Sequence, residues 1–153
     1  MPKPDEPFAM FMHLVREKLG DKIAHYQIPP PVFQATRGEI VEVDVEGGRL
    51  VTRFPILPEY LNPYGSMQGG MLAVAVDNTL GPLSMLVAPP NVTRHLEVTY
   101  SRPVRLEMGY IQVIGRLLDR QGQQLHFKAD VYEPRGTRVA RARAVHWIVE
   151  DGG

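Results

Sequence analysis

Apolar residues recur along the chain with two different periods, one typical of helices and one typical of strands. Over residues 8–19 the apolar positions fit one face of an amphipathic helix, which Gly20 is suited to end. Residues 39–45 instead alternate apolar and polar side chains, a Gly-Gly turn follows, and residues 49–54 run back. The first third of the chain therefore predicts an N-terminal helix followed by a β-hairpin.

The most apolar part of the chain lies between Met67 and about Leu80. Six apolar residues follow one another directly at positions 71–76, a run that fits a buried strand or a buried helix. We favour a helix because the apolar or small stretch is longer than ten residues, and a helix that is apolar all round is normally buried. Gly81 and Pro82 are expected to end or kink this helix.

Four strand-like segments complete the pattern, at residues 93–101, 109–118, 123–132 and 139–149, with turns at 119–122 and 133–136. In the last segment alanines occupy one face, which suits close packing against a helix. This order of elements predicts an α+β fold in which one antiparallel sheet wraps around a central buried helix. The predicted division is 1–34 for the N-terminal arm and helix, with residues 1–7 as a loose arm, and 35–150 for the sheet-and-helix domain.

Composition narrows the classes of function. The 153 residues carry 17 Lys and Arg against 17 Asp and Glu, so no net charge attracts nucleic acid or an anionic membrane. The absence of Cys excludes disulfides and thiolate chemistry. No apolar run reaches about 18 residues, the N-terminus has no signal-peptide core, and the five histidines lack metal-ligand spacing. We therefore expect a cytoplasmic protein that binds no metal, membrane or nucleic acid.

One acidic residue, Asp77, follows directly after the apolar run. An ionised carboxylate removed from water is costly unless it is paired, so its position suggests a general base or nucleophile in a dry cleft. The alternative interpretation is that Asp77 lies on an exposed helical stripe together with Asn78.

Gln68, Gly69 and Gly70 form a second candidate site at the start of the predicted helix. Free backbone amides at a helix N-terminus can polarise a carbonyl and stabilise an oxyanion. On a continuous helix, however, Gln68 and Asp77 are separated by roughly 13 Å of rise. If both act on one substrate, two chains must meet about a two-fold axis, so the sequence predicts at least a homodimer.

The segment 62–77 resembles the signature of hotdog-fold acyl-CoA thioesterases of the phenylacetic-acid-pathway (PaaI-like) type. That signature is Asn, then His-Gly-Gly six residues later, then Asp or Glu nine residues after the His; Gln68 stands here in place of the His. Residues 93–103 are similar to the family's next strand and its Tyr-x-x-Pro turn. The resemblance covers about residues 35–150 and implies the hotdog fold, with the N-terminal helix as an addition.

The resemblance also implies a role for each matched residue. Asp77 corresponds to the carboxylate that acts as base or nucleophile on the thioester, and Gly69 to the backbone amide that binds the thioester oxygen. Asn62 corresponds to a residue that helps to position the water or the carbonyl, and Thr93 to a hydroxyl that orients the water. The Gln68 amide can donate to a carbonyl, but it cannot titrate near neutral pH.

The implied substrate is an acyl-CoA, with coenzyme A as part of the substrate and no separate cofactor. Gly70 would allow close approach, and basic residues should bind the phosphates of coenzyme A, with Arg94, Arg102 and Arg116 as candidates. The acyl chain is expected in an apolar groove at the dimer interface, lined by Met67, Met71 and Leu72.

Other functions stay open at this point. A non-catalytic hotdog protein that binds acyl-CoA as a carrier or sensor is the main alternative, because Gln68 replaces the family His. A hydratase or dehydratase and a purely structural protein are further alternatives, since one fold hosts many functions. The resemblance implies a homodimer, with a tetramer as a dimer of dimers also open.

Overall fold

The computed structural model describes residues 6–149. The helices are α1 (Glu6–Leu19), α2 (Pro31–Ala35) and α3 (Gly69–Val87). The strands are β1 (Glu39–Asp44), β2 (Arg49–Pro55), β3 (Asn91–Tyr100), β4 (Tyr110–Gln121), β5 (Gln124–Tyr132) and β6 (Arg138–Ile148). Short 3₁₀ segments occupy Gly20–His25, Pro58–Tyr60 and Leu106–Met108.

The six strands form one antiparallel sheet in the order β1-β2-β4-β5-β6-β3. Helix α3 packs against this sheet, and α1 packs against β1 and α3. Apolar side chains from α3 and from the inner face of the sheet form one continuous core. The predicted α+β architecture, with a sheet around a central helix and an added N-terminal helix, is confirmed.

Small residues allow α3 to approach the sheet closely. A Cβ atom at Gly115 of β4 would lie 2.9 Å from Leu80 Cδ2, so glycine is required there for the present packing. The three alanines of β6 that were predicted to face a helix are buried. Between helix and sheet, the Thr52 and Thr79 hydroxyls form a buried hydrogen bond of 2.7 Å, so these core polar groups are satisfied.

The prediction that Gly81 and Pro82 end the helix is wrong. Helix α3 continues beyond them to Val87 as a single element. Proline removes one helical hydrogen bond, but the last turn buries Leu83 and Leu86 in the core. Tertiary packing therefore outweighs the local breaking tendency.

Other boundaries differ from the sequence pattern by a few residues. Helix α1 begins at Glu6, so the end of the predicted loose arm is helical, and residues 1–5 lie outside the described residues. Strand β4 continues to Gln121, so that the turn shortens to two residues. The division at residue 34 stays a prediction, and its end at residue 150 lies outside the described range.

Helix α3 is long and apolar enough to span a membrane by length and composition alone, with a mean hydropathy of 1.4. Core helices pass the same test, and nine residues of α3, including Val76 and Leu80, are buried inside the fold. Its composition is therefore accounted for by packing under the sheet.

Candidate active site

Asp77 lies in the middle of α3 and is exposed in the single chain. The sequence argument assumed that its carboxylate is withdrawn from water, and this is wrong for one chain taken alone. Helical rotation explains the difference, because Val76 and Asn78 on either side point into the fold while Asp77 points out. Asn78 is buried, so the alternative of a shared exposed stripe is wrong as well.

Thr93 reaches Asp77 because of an irregularity in β3. The pairing of β3 with β6 shifts between Thr93 and His95, leaving Arg94 as an extra residue. A β-bulge of this kind changes which side chains face the core. Strict alternation from Leu96 would turn Arg94 toward α3. Because of the bulge, Thr93 faces α3 instead. Its Oγ1 donates to Asp77 Oδ1 at 3.0 Å.

His146 of β6 extends this contact into the core. Its Nε2 lies 3.2 Å from Thr93 Oγ1, and its Nδ1 lies 2.8 Å from Asn91 Oδ1. The imidazole is almost fully buried and packs on the ring of Phe127, with the ring centroids 4.8 Å apart. Asp77 is therefore the exposed end of a series of hydrogen-bonded side chains that continues through Thr93 to the buried His146.

This series of hydrogen bonds, from Asp77 through Thr93 and His146 to Asn91, has one proton fewer than it can accommodate when Asp77 is ionised and His146 is neutral. Asn91 Nδ2 donates to the Pro89 carbonyl at 2.9 Å, so Asn91 Oδ1 accepts from His146 Nδ1. His146 Nε2 is then an acceptor, and the single Thr93 hydroxyl proton can serve only one of its two neighbours. A proton added to Asp77 completes this series of hydrogen bonds, because Asp77 can then donate to Thr93 and Thr93 can donate to His146.

Burial lowers the pKa of the His146 imidazole, and the nearby negative charge of Asp77 raises it by a smaller amount. The balance lies below the usual value for histidine, which favours the neutral ring at neutral pH. The unprotonated Nε2 of His146 therefore competes with Asp77 for the single Thr93 hydroxyl proton under those conditions.

The first turn of α3 forms a different kind of site. Gly69 opens the helix after Gln68, and its amide belongs to the first turn, where helices have no internal acceptor. The Tyr100 hydroxyl donates to the Gly69 carbonyl at 2.7 Å. A Cβ atom at Gly69 would lie 3.1 Å from Tyr100 Cζ, so this contact favours glycine. Burial raises the pKa of the Tyr100 phenol, which keeps it protonated as a donor.

Asn62 shapes the loop that precedes α3. Its Oδ1 accepts from the amides of Tyr64 at 2.9 Å and Ser66 at 3.1 Å. The backbone of Gln68 is fixed by donation to the Tyr60 carbonyl at 2.7 Å, and its side chain is exposed and makes no capping bond. Gly70 is also exposed, and a Cβ atom there would meet nothing within 4 Å.

Five of the predicted site residues line two separate cavities of one chain. Asp77 and Thr93 line a cavity of about 440 Å³ together with His146. Asn62 and Gly69 line another of about 310 Å³ together with Tyr100. Because α3 is continuous from Gly69 onward, about 12 Å of helical rise separates the Gly69 amide from Asp77. The condition for the dimer argument, an unbroken helix, is met.

The three candidate arginines lie in different surroundings. Arg102 lines the cavity that contains Gly69, and Arg94 stacks over the ring of Trp147, with Cζ 4.8 Å from its centroid. Arg116 lies on the face of the sheet opposite α3, between Arg49 and Lys128 of the neighbouring strands. The structure brings none of the three into contact with Asp77. Within residues 6–149, no cluster of three or more His, Asp or Glu side chains can hold a metal ion.

Met67 and Leu72, which were expected to line an acyl groove, are core residues. They reach the smaller cavity with Gly69 but not the larger cavity with Asp77. The residues immediately beside the helix start are needed to seal α3 against its loop, which explains their burial.

Sequence reasoning missed His146, Asn91 and Tyr100. A signal for His146 was present, because strict alternation in β6 puts it on the same face as the buried alanines, toward α3. His95, which is closer to Thr93 in sequence, is exposed and pairs with Glu97 at 3.5 Å. No sequence signal identified Asn91. Tyr100 is the tyrosine of the Tyr-x-x-Pro turn, but its role was not predicted, since it depends on a contact with a distant segment.

The chain is similar to known thioesterases in sequence and in fold. No protein-family model matches it. It is 30% identical to human acyl-coenzyme A thioesterase 13 over 97 residues, which cover 62% of this chain and 68% of the human protein. A crystal structure of a putative thioesterase, a phenylacetic acid degradation-related protein from Ralstonia eutropha, shares 25% identity with a TM-score of 0.75, covering 88% of this chain and 98% of that one.

A second similar structure is a hypothetical thioesterase from Streptococcus pneumoniae in complex with coenzyme A. It shares the fold, with a TM-score of 0.68 at 19% identity, and the match covers 76% of this chain and 88% of that one. The sequence match to the human enzyme and the hotdog folds of the structural neighbours agree with the arrangement of α3 and the sheet. The chain belongs to the acyl-coenzyme A thioesterase 13 family of hotdog-fold thioester hydrolases.

Proposed function

We propose that the chain hydrolyses acyl-CoA thioesters to the free acid and coenzyme A at a site shared by two copies of the chain. The observation that carries this proposal is the pair of half-sites at opposite ends of one helical stretch. One half-site supplies the Asp77 carboxylate, and the other supplies the Gly69 amide. Neither is sufficient alone, because hydrolysis needs both an activated water and a stabilised oxyanion.

The free edge of β3 supports a dimer with the required geometry. Strand β3 is ten residues long and lies at the edge of the sheet, with no strand on its outer side within the described chain. Long exposed edges tend to pair with another strand. Antiparallel pairing of two β3 strands about a two-fold axis would bring Thr93, near the start of one strand, opposite Tyr100 at the end of the other. Asp77 would then face Gly69 of the second chain.

In the proposed reaction the Gly69 amide and the positive end of the α3 dipole stabilise negative charge on the thioester oxygen. The Gln68 amide is a second donor to the same oxygen. Asp77 removes a proton from water while the water oxygen attacks the carbonyl carbon. The carbon–sulfur bond then breaks, and the proton passes to the thiolate of coenzyme A.

The hydrogen-bonded chain behind Asp77 favours the general-base role over the nucleophile role that the sequence also allowed. A carboxylate that has accepted a proton can donate to Thr93, and Thr93 can then donate to His146. The formation of an anhydride would instead use the carboxylate oxygen for a covalent bond and would add no proton to this series of hydrogen bonds. We assign His146 and Asn91 as positioning residues, since both act on Asp77 only through Thr93.

Coenzyme A is proposed to bind along the two ends of β3. Arg102 beside the Gly69 cavity and Arg94 beside Thr93 are the better placed cations for its phosphates. Arg116 and Gly70 stay candidates on sequence grounds. The cytoplasmic location likewise remains a proposal that follows from the sequence composition. The association of two dimers into a tetramer remains a proposal that follows from the resemblance.

The test is hydrolysis of an acyl-CoA panel by the wild type and by Asp77→Ala, followed through release of free thiol. We expect the variant to lose about a hundredfold or more of kcat, as for a lost general base. Asp119→Ala is the matched control, because Asp119 is also an exposed carboxylate with a side-chain hydrogen bond, to His126 at 2.7 Å. Tight acyl-CoA binding without hydrolysis by the wild type would instead support the carrier or sensor function.

A further inference from the structure

The outer face of the sheet carries a row of cations that crosses four neighbouring strands. Arg49 of β2 lies opposite Arg116 of β4. Lys128 of β5 lies between Arg116 on one side and Arg143 of β6 on the other. Gly115 contacts α3, so its neighbour Arg116 and the rest of the row point away from that helix. These four side chains, which we call the cationic row, span about 14 Å at the usual strand spacing.

Little within the fold compensates the charge of this row. Arg49 forms an ion pair with Glu42. Within residues 6–149, the other three cations, Arg116, Lys128 and Arg143, form no ion pair. Like charges that lie directly opposite one another in a sheet are destabilising. The cationic row therefore lowers the stability of the isolated chain, and an anionic partner would remove that repulsion.

We propose that the cationic row binds an acidic helix of a partner protein, which lies across the strands and presents carboxylates from successive turns. Residues three or four apart on a helix have Cβ atoms about 5–6 Å apart. Directly opposite residues in a sheet have Cβ atoms about 4.5–5.5 Å apart, so one carboxylate per turn can contact one cation per strand. Three of the four cations are arginines, whose guanidinium groups form paired hydrogen bonds with carboxylates.

The ends of the cationic row favour a helix over a nucleic acid strand. Asp44 lies opposite Arg49 at one end, and Glu97 lies opposite Arg143 at the other. A nucleic acid carries a phosphate at every nucleotide, so a strand that continued along the row would bring phosphates against both carboxylates. A helix avoids this repulsion, because its sequence can place neutral or basic residues beyond the acidic turns.

The shape and the wider charge of the outer face disfavour a membrane. The sheet curves around α3, so its outer face is convex. The carboxylates of Glu42, Asp119 and Asp130 lie on the same face, and each contacts a basic side chain of its own. A planar anionic surface would approach these carboxylates as well as the cationic row. A second copy of the chain is disfavoured too, since a two-fold contact centred on the row places it against an identical row.

A helix bound at the cationic row would leave the candidate active site accessible. Asp77 and Gly69 belong to α3, on the other side of the sheet from the row. The inference is therefore independent of the proposed hydrolysis. Saturating amounts of the acidic helix should leave thiol release from acyl-CoA unchanged, and a loss of thiol release would place the helix at α3 and overturn the proposal.

The probe is a fluorescein-labelled, alanine-rich helical peptide with glutamates at positions i, i+4, i+7 and i+11, which share one face. Fluorescence anisotropy with the full chain should show saturable binding at about 50 mM NaCl, and this binding should weaken as salt screens the exposed charges. The control peptide has the same composition with its glutamates spread around the helix. We expect it to bind about tenfold more weakly, because it can contact only part of the row.

The sharpest variant is Lys128→Glu, which places a carboxylate between Arg116 and Arg143. We expect the affinity for the acidic peptide to fall about tenfold or more, while Tm rises by about 2–4 °C because two repulsive pairs become attractive. The rise in Tm separates lost binding from unfolding. The matched control is Arg16→Glu, which reverses the charge of an exposed arginine on α1 and should change the affinity by less than about twofold.

The other possible partners are tested in parallel with an oligothymidylate and with vesicles that contain phosphatidylglycerol. Both should bind more weakly than the acidic peptide at the same salt concentration. Tighter binding of either one, equal binding of the two peptides, or peptide binding that Lys128→Glu leaves unchanged would overturn the proposal. A wild-type oligomer that becomes smaller in Lys128→Glu, as measured by sedimentation, would also overturn it by assigning the row to a second copy.

Discussion

The two half-sites on α3 differ in what they are made of. At the first turn the reactive group is a backbone amide, fixed by the helix itself and by the Tyr100 hydroxyl. About two turns later the proposed reactive group is a side chain, Asp77, oriented through Thr93 by a buried histidine. The first site depends on main-chain geometry, and the second depends on the identity of several side chains.

This difference bears on Gln68, which by the resemblance stands at the position of a histidine. A side chain beside an amide donor contributes a second hydrogen bond, so a change from His to Gln alters one contribution to oxyanion binding and leaves the main-chain donor in place. At the other half-site Asp77, Thr93 and His146 are joined by hydrogen bonds, so the loss of one side chain changes the orientation of the others. We therefore expect substitutions to be tolerated unequally at the two half-sites.

The largest expected effect tests whether the two half-sites belong to different chains. Asp77→Ala and Gly69→Val, in which the new side chain would press on Tyr100, should each be nearly inactive. A mixed dimer contains one site with both lesions and one intact site. Refolding the two variants together at equal concentration should restore about a quarter of wild-type activity, because half of the dimers are mixed.

The control for this experiment is each variant refolded alone by the same procedure. Thiol release from decanoyl-CoA is the measurement, and size-exclusion chromatography reports the dimer. Activity that stays at the level of the single variants, although mixed dimers form, would show that both groups act within one chain.

A smaller effect is expected when His146, the buried member of the hydrogen-bonded series that begins at Asp77, is replaced. His146→Phe should lower kcat about tenfold, since Thr93 loses a hydrogen bond that holds it toward Asp77. His146→Gln should recover part of the loss, because its amide can still bond to Thr93. Equal kcat in all three proteins would contradict a positioning role for His146.

The same histidine gives a pH dependence of stability with a definite sign. Burial lowers the pKa of His146, so between that lowered value and about 6.5 the unfolded chain binds a proton that the folded chain does not. The free energy of unfolding should therefore decrease as the pH falls below about 6.5. Urea titrations between pH 5 and pH 8 should show a shallower decrease for His146→Gln.

At the first turn, Tyr100→Phe should have a moderate effect. The change removes the donor to the Gly69 carbonyl at 2.7 Å but leaves the ring that packs against Gly69. The loss of about 1 kcal/mol of transition-state stabilisation with this hydrogen bond corresponds to a decrease in kcat/KM of roughly fivefold. Tyr110→Phe is the control, because Tyr110 packs under the Arg53 guanidinium on the sheet and has no role at α3.

The smallest effect is expected at Gln68. Gln68→Ala should lower kcat/KM by no more than about fivefold, because the Gly69 amide and the helix dipole remain. Gln68→His should introduce a titration near pH 6.5 into the rate profile. A loss from Gln68→Ala as large as that from Asp77→Ala would remove the contrast between the two half-sites.

Periodicity in the sequence was enough to predict the six strands, and the length of the apolar stretch decided in favour of the central helix. The prediction of a helix end failed at Pro82, where the core packing of Leu83 and Leu86 decides the outcome. For the candidate site the sequence proposed Asp77 and Gly69, and their separation along a continuous helix is confirmed. His146 and Tyr100 could not be assigned, because their partners lie 53 and 31 residues away.

The bulge at Arg94 has a consequence for how β3 can change by insertion and deletion. The ladder places Thr93 opposite His146 and His95 opposite Val145, so Arg94 is the extra residue between two paired positions. Deleting Arg94 alone would leave Thr93 two residues before Leu96 and therefore on the same face, toward Asp77. Deleting both Arg94 and His95 would instead place Thr93 next to Leu96 and turn it to the outer face, so this part of β3 tolerates the loss of one residue but not of two.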